Sequence, residues 1–349
     1  MNDDERQWIN PEMSIEEFAS LPYVGLRGKF MRTLVIHHAS CWDGFCCAWL
    51  INSYFSDPDQ ISYHAAHYGT EPPNIPDSSA ETIRLFIVDF SYPREVMKSL
   101  LSRQPFSTVI LDHHQTAQEA LAGLQEEFPQ STIMFDMNMS AGRLTWDWLY
   151  DKGYIPIMPD TMLPVFGEKI TRDNPHWIVK YTEDRDLHGP ADCRLLNSRE
   201  INATLRSYPL DFATWDRLVD RNLLGEMVAE GRAILRREAQ IIAEAVKNAY
   251  MITLDGHQVL TVNSTVLFSE IAGELANGNP FGSCYFLRDK GRIMQFSLRS
   301  QAHGLDVSEI AKKFGGGGHK HAAGFEVVLP PFLPGPESFH GNVAKVSGT

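Results

Sequence analysis

Residues 107–114 read Ser-Thr-Val-Ile-Leu-Asp-His-His. An apolar run, Thr108 to Leu111, stops abruptly at a carboxylate and two imidazoles. A run this short and rich in β-branched residues predicts a buried strand. Charged groups at its end are costly to bury without a partner. The same shape recurs upstream. Ile83–Val88 is Ile-Arg-Leu-Phe-Ile-Val and ends at Asp89, and Arg32–Ile36 ends at a polar cluster, His37 to Asp43. Helices are predicted over Gly44–Phe55, from Pro93 to Ser102, where proline suits a helix start, and over Thr116–Phe128. Further strands are predicted over Ile61–Tyr68 and Thr132–Phe135. Strand and helix alternating in this way imply βαβ units and a mostly parallel sheet. The carboxyl ends of such strands line the ligand crevice. Residues 37–43, 89 and 112–114 are therefore expected to converge on one edge.

The rest of the chain fills in a two-domain plan, as 349 residues suggest at roughly 150 per domain. Residues 1–31 read as a leader, with a short helix from Ser14 to Ser20 opened by a Ser14/Glu17 capping pair. Residues 32–190 form the α/β domain, in which 141–188 reads as helical. Residues 191–249 form a helical connector, in which Leu224, Met227, Val228, Ile234, Leu235, Ile241 and Ile242 recur at helical spacing. Residues 250–329 read as a smaller α+β domain. Its strands are Tyr250–Leu254, Val259–Val262, Cys284–Leu287 and Ile293–Leu298, and a helix, Val307–Phe314, precedes the run Gly315–Gly318. Residues 330–349, rich in Pro, Gly and Ser, read as a flexible tail. The fold class is thus α/β, a mostly parallel sheet with flanking helices joined to a smaller α+β domain, with an active cleft expected between them.

Composition excludes several classes. Apolar residues at 43% and charged residues at 21% are ordinary globular usage, not that of a disordered or fibrous chain. The net charge of −13 argues against a protein that coats long duplex DNA, which needs surplus Lys and Arg to displace phosphate counterions. The five cysteines, Cys41, Cys46, Cys47, Cys193 and Cys284, show neither a C-x-x-C pair nor a disulfide framework, so a reducing, cytoplasmic compartment is expected. No apolar run resembles a signal peptide or reaches the roughly 18 residues of a membrane span.

Asp43, Asp89 and Asp112-His113-His114 stand at three successive strand ends, and a divalent metal is one partner that makes such burial tolerable. Carboxylates with imidazoles suit Mn, Mg or Fe. In this order the motifs resemble those of the DHH phosphoesterases. His38-Ala-Ser-Cys41-Trp-Asp43-Gly44 resembles motif I, Asp89 motif II, Asp112-His113-His114 motif III and Asp184-Arg185-Asp186 motif IV. Ser297-Leu298-Arg299-Ser300, Asp306-Val307, Gly315–His319 and Ala322-Ala323-Gly324-Phe325 resemble the DHH-associated C-terminal domain. The resemblance spans about residues 32–328 and makes 32–190 the catalytic domain and 250–329 the substrate-binding domain.

The resemblance implies two divalent metals, Mn²⁺ first with Mg²⁺ or Fe²⁺ as alternatives, that turn water into a nucleophile and clamp phosphoryl oxygens. One of the two sites is expected to be the weaker. The ligand set of the two metals together is His38, Cys41, Asp43, Asp89, Asp112, His113 and Asp184, with Asp89 bridging. Asp43, Asp112 and His114 would serve catalysis, His114 as a donor to the transition-state oxygens. Cys41 stands where the family usually has a second Asp. It is a softer ligand, a sign of one weak metal, or a packed side chain. His37 and His38 both suit motif I: a three-residue gap to Cys41 picks His37 and a two-residue gap picks His38, and the resemblance favours His38.

Arg299 and Ser300, with Gly316, Gly317, Gly318 and His319, are expected to hold the substrate. The guanidinium would make two parallel bonds to a phosphate, and the glycine amides would wrap the anion. Trp146, Trp148 and Trp177 are expected to pack in the interior. The function implied is hydrolysis of short oligonucleotides or linear dinucleotides to mononucleotides. Alternatives are a phosphomonoesterase on adenosine bisphosphate, a polyphosphatase, or a nucleotide-binding protein with an impaired metal site. The partner expected is a short nucleic acid or nucleotide, not a long duplex and not a membrane, and a homodimer is left open.

Overall fold

The computed structural model describes residues 31–55, 61–75, 82–103, 107–156, 170–189, 193–220 and 223–330. The leader before residue 31, with its Ser14–Ser20 helix, and the tail from residue 331 lie outside the described residues. The chain divides into two compact units, 1–235 and 236–349.

The first unit opens with β1 (Met31–His38), α1 (Trp42–Tyr54), β2 (Ile61–Ala66), β3 (Thr82–Val88), α2 (Arg94–Ser102) and β4 (Ser107–Asp112). Two short helices, α3 (Gln115–Ala120) and α4 (Leu124–Glu127), lead to β5 (Thr132–Phe135) and α5 (Ala141–Asp151). The expected single helix over 116–128 is broken in two, and Gly123 at the break has φ +80°, a left-handed turn no continuous helix contains. The five strands form one parallel sheet, ordered β2-β1-β3-β4-β5.

The strands are apolar throughout because both faces are covered. Val35, Phe86, Val88, Val109 and Leu111 face one core with α1 and α5. Ile36, Leu85, Ile87 and Ile110 face another with Met97, Leu100 and Leu101 of α2. Trp146, Trp148 and Trp177 are buried in the first of these cores, as expected.

Four further helices follow: α6 (Trp177–His188), α7 (Ser198–Ser207), α8 (Phe212–Asp220) and α9 (Leu224–Val246). The division between units falls within α9. Among the described residues no helix is long and apolar enough to cross a membrane.

The second unit holds β6 (Tyr250–Leu254), β7 (His257–Asn263), α10 (Phe268–Leu275), β8 (Gly282–Arg288), β9 (Ile293–Arg299), α11 (Val307–Lys313), β10 (Gly317–His319) and β11 (Ala322–Val328). Its six strands are ordered β10-β11-β9-β8-β7-β6, antiparallel except for β7 and β8, which α10 connects in parallel. The sequence reading did not anticipate α10.

His176 begins α6 unusually. Its ring accepts a hydrogen bond from the backbone N–H of Ile178 at 3.4 Å, so the ring must stay neutral to cap the helix. Burial, helped by the charge of Lys180, lowers it from 6.5 to about 4. The unfolded chain therefore binds the extra proton first, and stability is full above pH 6.5 and falls as the pH drops towards 4. Denaturant melts should show a loss of about 1–3 kcal/mol across that window. His176→Asn, which caps without titrating, should flatten the slope, and an unchanged slope would remove His176 as its source.

Candidate metal centre

β1 ends at His38, and a sharp turn through Ser40 (φ +56°) brings Cys41 to the start of α1. Asp43 lies in the first turn of that helix and is buried. The glycine that follows is required: a Cβ on Gly44 would stand 2.7 Å from the His38 carbonyl oxygen. Asp89 leaves the end of β3 in the left-handed region, φ +54°, which Asp tolerates better than bulkier residues. Its backbone N–H bonds to the Leu111 carbonyl at 3.0 Å, which fixes it beside the end of β4.

These elements converge on one nitrogen. His113 Nε2 is 3.2 Å from Asp89 Oδ1, 3.4 Å from Asp186 Oδ2 and 3.8 Å from Asp43 Oδ2. His38, Cys41 and Asp89 form a second group of ligand atoms within 4.8 Å of one another. His38 Nδ1 is 3.6 Å from Asp89 Oδ2, so Asp89 belongs to both groups. His37, by contrast, turns its ring to the backbone oxygen of His38 at 3.1 Å.

The electrostatics are those of crowded like charges. Burial, then Asp89 and Asp186, push Asp43 well above its ordinary carboxylate value. Burial opposes protonation of His113, but Asp186, Asp89 and Asp43 outweigh it and raise the imidazole well above its usual value. Three carboxylates cannot all ionise around one imidazole without further positive charge. Asp89 Oδ2 and Asp186 Oδ2 are buried and accept no hydrogen bond. Buried oxygens of this kind, with an imidazole beside them, fit a divalent cation of the Mn or Mg type.

Backbone amides hold Asp43. Its Oδ2 accepts from Ala141 N at 2.7 Å and its Oδ1 from Gly142 N at 3.1 Å, at the amino end of α5. Those amides have no partner within the helix, and the helix dipole favours an anion there. A Cβ on Gly142 would stand 2.8 Å from Asp43 Oδ1.

Asp112 is fully engaged. Its Oδ1 accepts from the backbone N–H groups of His113 and His114 and pairs with His114 Nδ1 at 2.7 Å, and its Oδ2 accepts from Ser91 Oγ at 2.6 Å. It also lies in a possible ligand group with Asp89 and His114. Burial disfavours the His114 cation, but the charge and hydrogen bond of Asp112 outweigh burial and raise its pKa.

Motif IV separates its two carboxylates. Asp184, expected among the ligands, accepts backbone hydrogen bonds from Arg194 and Leu195 at 2.8–3.1 Å and so ties α6 to the chain that follows it. His188 lies with it, 4.0 Å from its Oδ1. The carboxylate that reaches His113 is Asp186. Two residues on along a helix is about 200° round its axis, so only one of the two can face the strand ends. The sequence reading also missed Tyr68. Its half-exposed ring lies with centroids 5.4 Å from His38 and 6.3 Å from His114.

In the second unit, paired register places His319, Ala322, Arg299 and Gly282 in one row across four strands, on one face. Arg299 donates to Ser269 Oγ of α10 at 2.7 Å and to the Leu298 carbonyl at 2.8 Å. Ser300 Oγ donates to the Leu305 carbonyl at 2.7 Å and lies 2.9 Å from His321 Nδ1.

The glycine run lies at a helix end and in a short strand. Gly315 (φ +80°) donates to the Lys312 carbonyl and Gly316 to the Ala311 carbonyl, so these amides close the end of α11 instead of facing an anion. Gly317, Gly318 and His319 form β10. A Cβ on Gly316 or Gly318 would approach β11 backbone oxygens to 2.1 and 2.5 Å, so close strand approach explains both glycines.

No protein-family profile matches the chain. The uncharacterised protein R106 of Acanthamoeba polyphaga mimivirus is 24% identical over 307 residues, 83% of this chain and 66% of that protein. The chain thus spans just under two thirds of the length of this curated relative. Among solved structures, a RecJ exonuclease bound to manganese is similar over 86% of each chain, with 13% identity and a TM-score of 0.47. The pGpG-specific phosphodiesterase PggH of Vibrio cholerae covers 85% of this chain and 94% of its own, with 16% identity and a TM-score of 0.36. An exopolyphosphatase-related protein of Bacteroides fragilis covers 87% and 88%, with 11% identity and a TM-score of 0.39. The chain itself combines a parallel five-stranded sheet flanked by helices with a second, mixed six-stranded sheet.

Excess Mn²⁺ should raise the melting temperature of the full chain, by the equivalent of about 2.7 kcal/mol at 100 times Kd. Asp186→Ala should lose most of that shift. Asp184→Ala should keep it but lower metal-free stability by about 1–3 kcal/mol, because backbone donors lose their acceptor. Thermal melts with and without chelator read both, and the reverse pattern would restore Asp184 as the ligand.

Proposed function

We propose that this protein is a metal-dependent phosphodiesterase that hydrolyses short oligonucleotides or linear dinucleotides to mononucleotides. The observation that carries the reading is the convergence of Asp43, Asp89 and Asp186 on His113, with two buried carboxylate oxygens that accept no hydrogen bond. His38, Cys41 and Asp89 would hold one metal, and Asp43, Asp89, His113 and Asp186 the other. When bound, divalent ions lower the pKa of water and neutralise phosphoryl charge.

The remaining roles belong to the chain. Asp112, braced by Ser91, fixes the tautomer and orientation of His114 through Nδ1. The same carboxylate favours the imidazolium, in which Nε2 also carries a proton and would donate to a phosphoryl oxygen as charge develops there. Asp112 acts through His114 and is a positioning residue. Arg299, anchored on Ser269, would take the terminal phosphate through a charge-assisted pair of bonds.

The flanking ring of Tyr68 favours a nucleotide over inorganic polyphosphate. An exposed aromatic face can stack a base for about 1–3 kcal/mol, and a phosphate chain offers nothing to stack. Manganese is the metal expected from the oxygen-rich ligands.

Purified protein with Mn²⁺ should cleave 5′-phosphorylated dinucleotides, and Asp89→Ala should be inactive. Adenosine bisphosphate and polyphosphate belong in the same assay. No dinucleotide turnover, with clear turnover of either of those, would overturn the substrate assignment. Arg299→Ala should raise KM on the dinucleotide about tenfold or more, the loss of a hydrogen-bonded charge. Tyr68→Ala should weaken dinucleotide binding by a similar factor and leave any polyphosphate hydrolysis unchanged. Equal losses on both substrates would remove the stacking role.

A further inference from the structure

Two of the ligand groups around Asp89 differ in chemistry. One joins Asp43 and Asp186 to His113, so two carboxylates meet one imidazole. The other joins His38 and Cys41 to Asp89, so a sulfur and an imidazole meet one carboxylate. Thiolates select softer ions such as Zn²⁺, whereas carboxylates suit Mn²⁺ and Mg²⁺.

Helix capping does not explain Cys41. It occupies the N-cap of α1, where Ser, Thr, Asp or Asn serve best, and its side chain makes no capping bond. Nor does it belong to the apolar interior that takes Cys46 and Cys47, for it is only half-buried. The turn through Ser40 brings its sulfur within 4.8 Å of ligand atoms of His38 and Asp89. Asp89 is almost wholly buried, at 1% exposure, and its Oδ2, on the His38 side, accepts no hydrogen bond. A cation held between sulfur, imidazole and this oxygen would satisfy all three.

We infer that the centre is built for two different metals: a thiophilic ion, Zn²⁺ or Fe²⁺, at His38–Cys41–Asp89, and Mn²⁺ or Mg²⁺ at Asp43–His113–Asp186. On coordination the thiol proton is exchanged for the ion and passes to the buffer. The inference rests on the metal-centre reading above and adds the identity of each occupant. Substrate selectivity plays no part in it.

Co²⁺ is the probe, because a thiolate ligand gives it a near-ultraviolet charge-transfer band that carboxylate and imidazole ligands do not. Metal-free full-length protein titrated with Co²⁺ should develop this band within the first two equivalents. Cys41→Ser should lose it, and His38→Ala should weaken it. Wild type dialysed against equimolar Zn²⁺ and Mn²⁺ should retain both metals in elemental analysis. Cys41→Asp should retain mainly Mn²⁺, with Zn²⁺ affinity reduced at least about tenfold. Circular dichroism confirms that each variant is folded.

A band that persists in Cys41→Ser overturns the inference, since another cysteine must then supply it. Two bound ions with no band in the wild type overturn it while leaving the metal centre intact. No binding of any divalent ion overturns both.

Discussion

Three carboxylates share one imidazole nitrogen, and that crowding is the constraint on which the rest of the first unit depends. Asp43, Asp89 and Asp186 come from a helix start, a strand end and a distant helix, yet all lie within 3.8 Å of His113 Nε2. Left alone, the group would spread apart or take up protons. The fold holds it together with neutral backbone donors and with stiffness. Parallel strands buried on both faces cannot shift without disturbing two cores. The left-handed backbone at Asp89 is a conformation that persists only where its surroundings impose it.

The orienting devices are arranged in layers. Asp112 touches His114, and Ser91 touches Asp112, so the direction of the His114 ring is set by two residues behind it. On α5, the first turn presents amides to Asp43, and its glycine leaves the space those amides need. Each residue is ordinary as a type. What is unusual is how much neighbouring structure is committed to its direction.

How far the sequence disclosed this depends on the geometry involved. Strand ends were legible, because an apolar run that stops at Asp or His fixes both the element and the edge of the sheet where the polar group lies. Asp89 and Asp112-His113-His114 were found that way. Motif IV lies within a helix, where Asp184 and Asp186 are equally plausible, and only the course of the chain at 194–195 decides which carboxylate turns inward. Tyr68 carries no motif and became visible only when its loop folded beside His38. The glycine run was identified as special, and the structure gives it a local packing role as well. Its pattern reflects a helix end and a close strand pair, which resemble an anion cradle in sequence because both demand a backbone without side chains. Helix α10 escaped notice, and it supplies Ser269, the anchor of Arg299.

The amides that hold Asp43 have one more consequence. A carboxylate tied to its own scaffold does not depend on the cation to find its place. The ordering cost of the site is thus met during folding, and arrival of an ion need not wait for a loop to close around it. An ion could then arrive or leave while the polypeptide around Asp43 stays as it is, so the shape of the site is a property of the folded chain rather than of its contents.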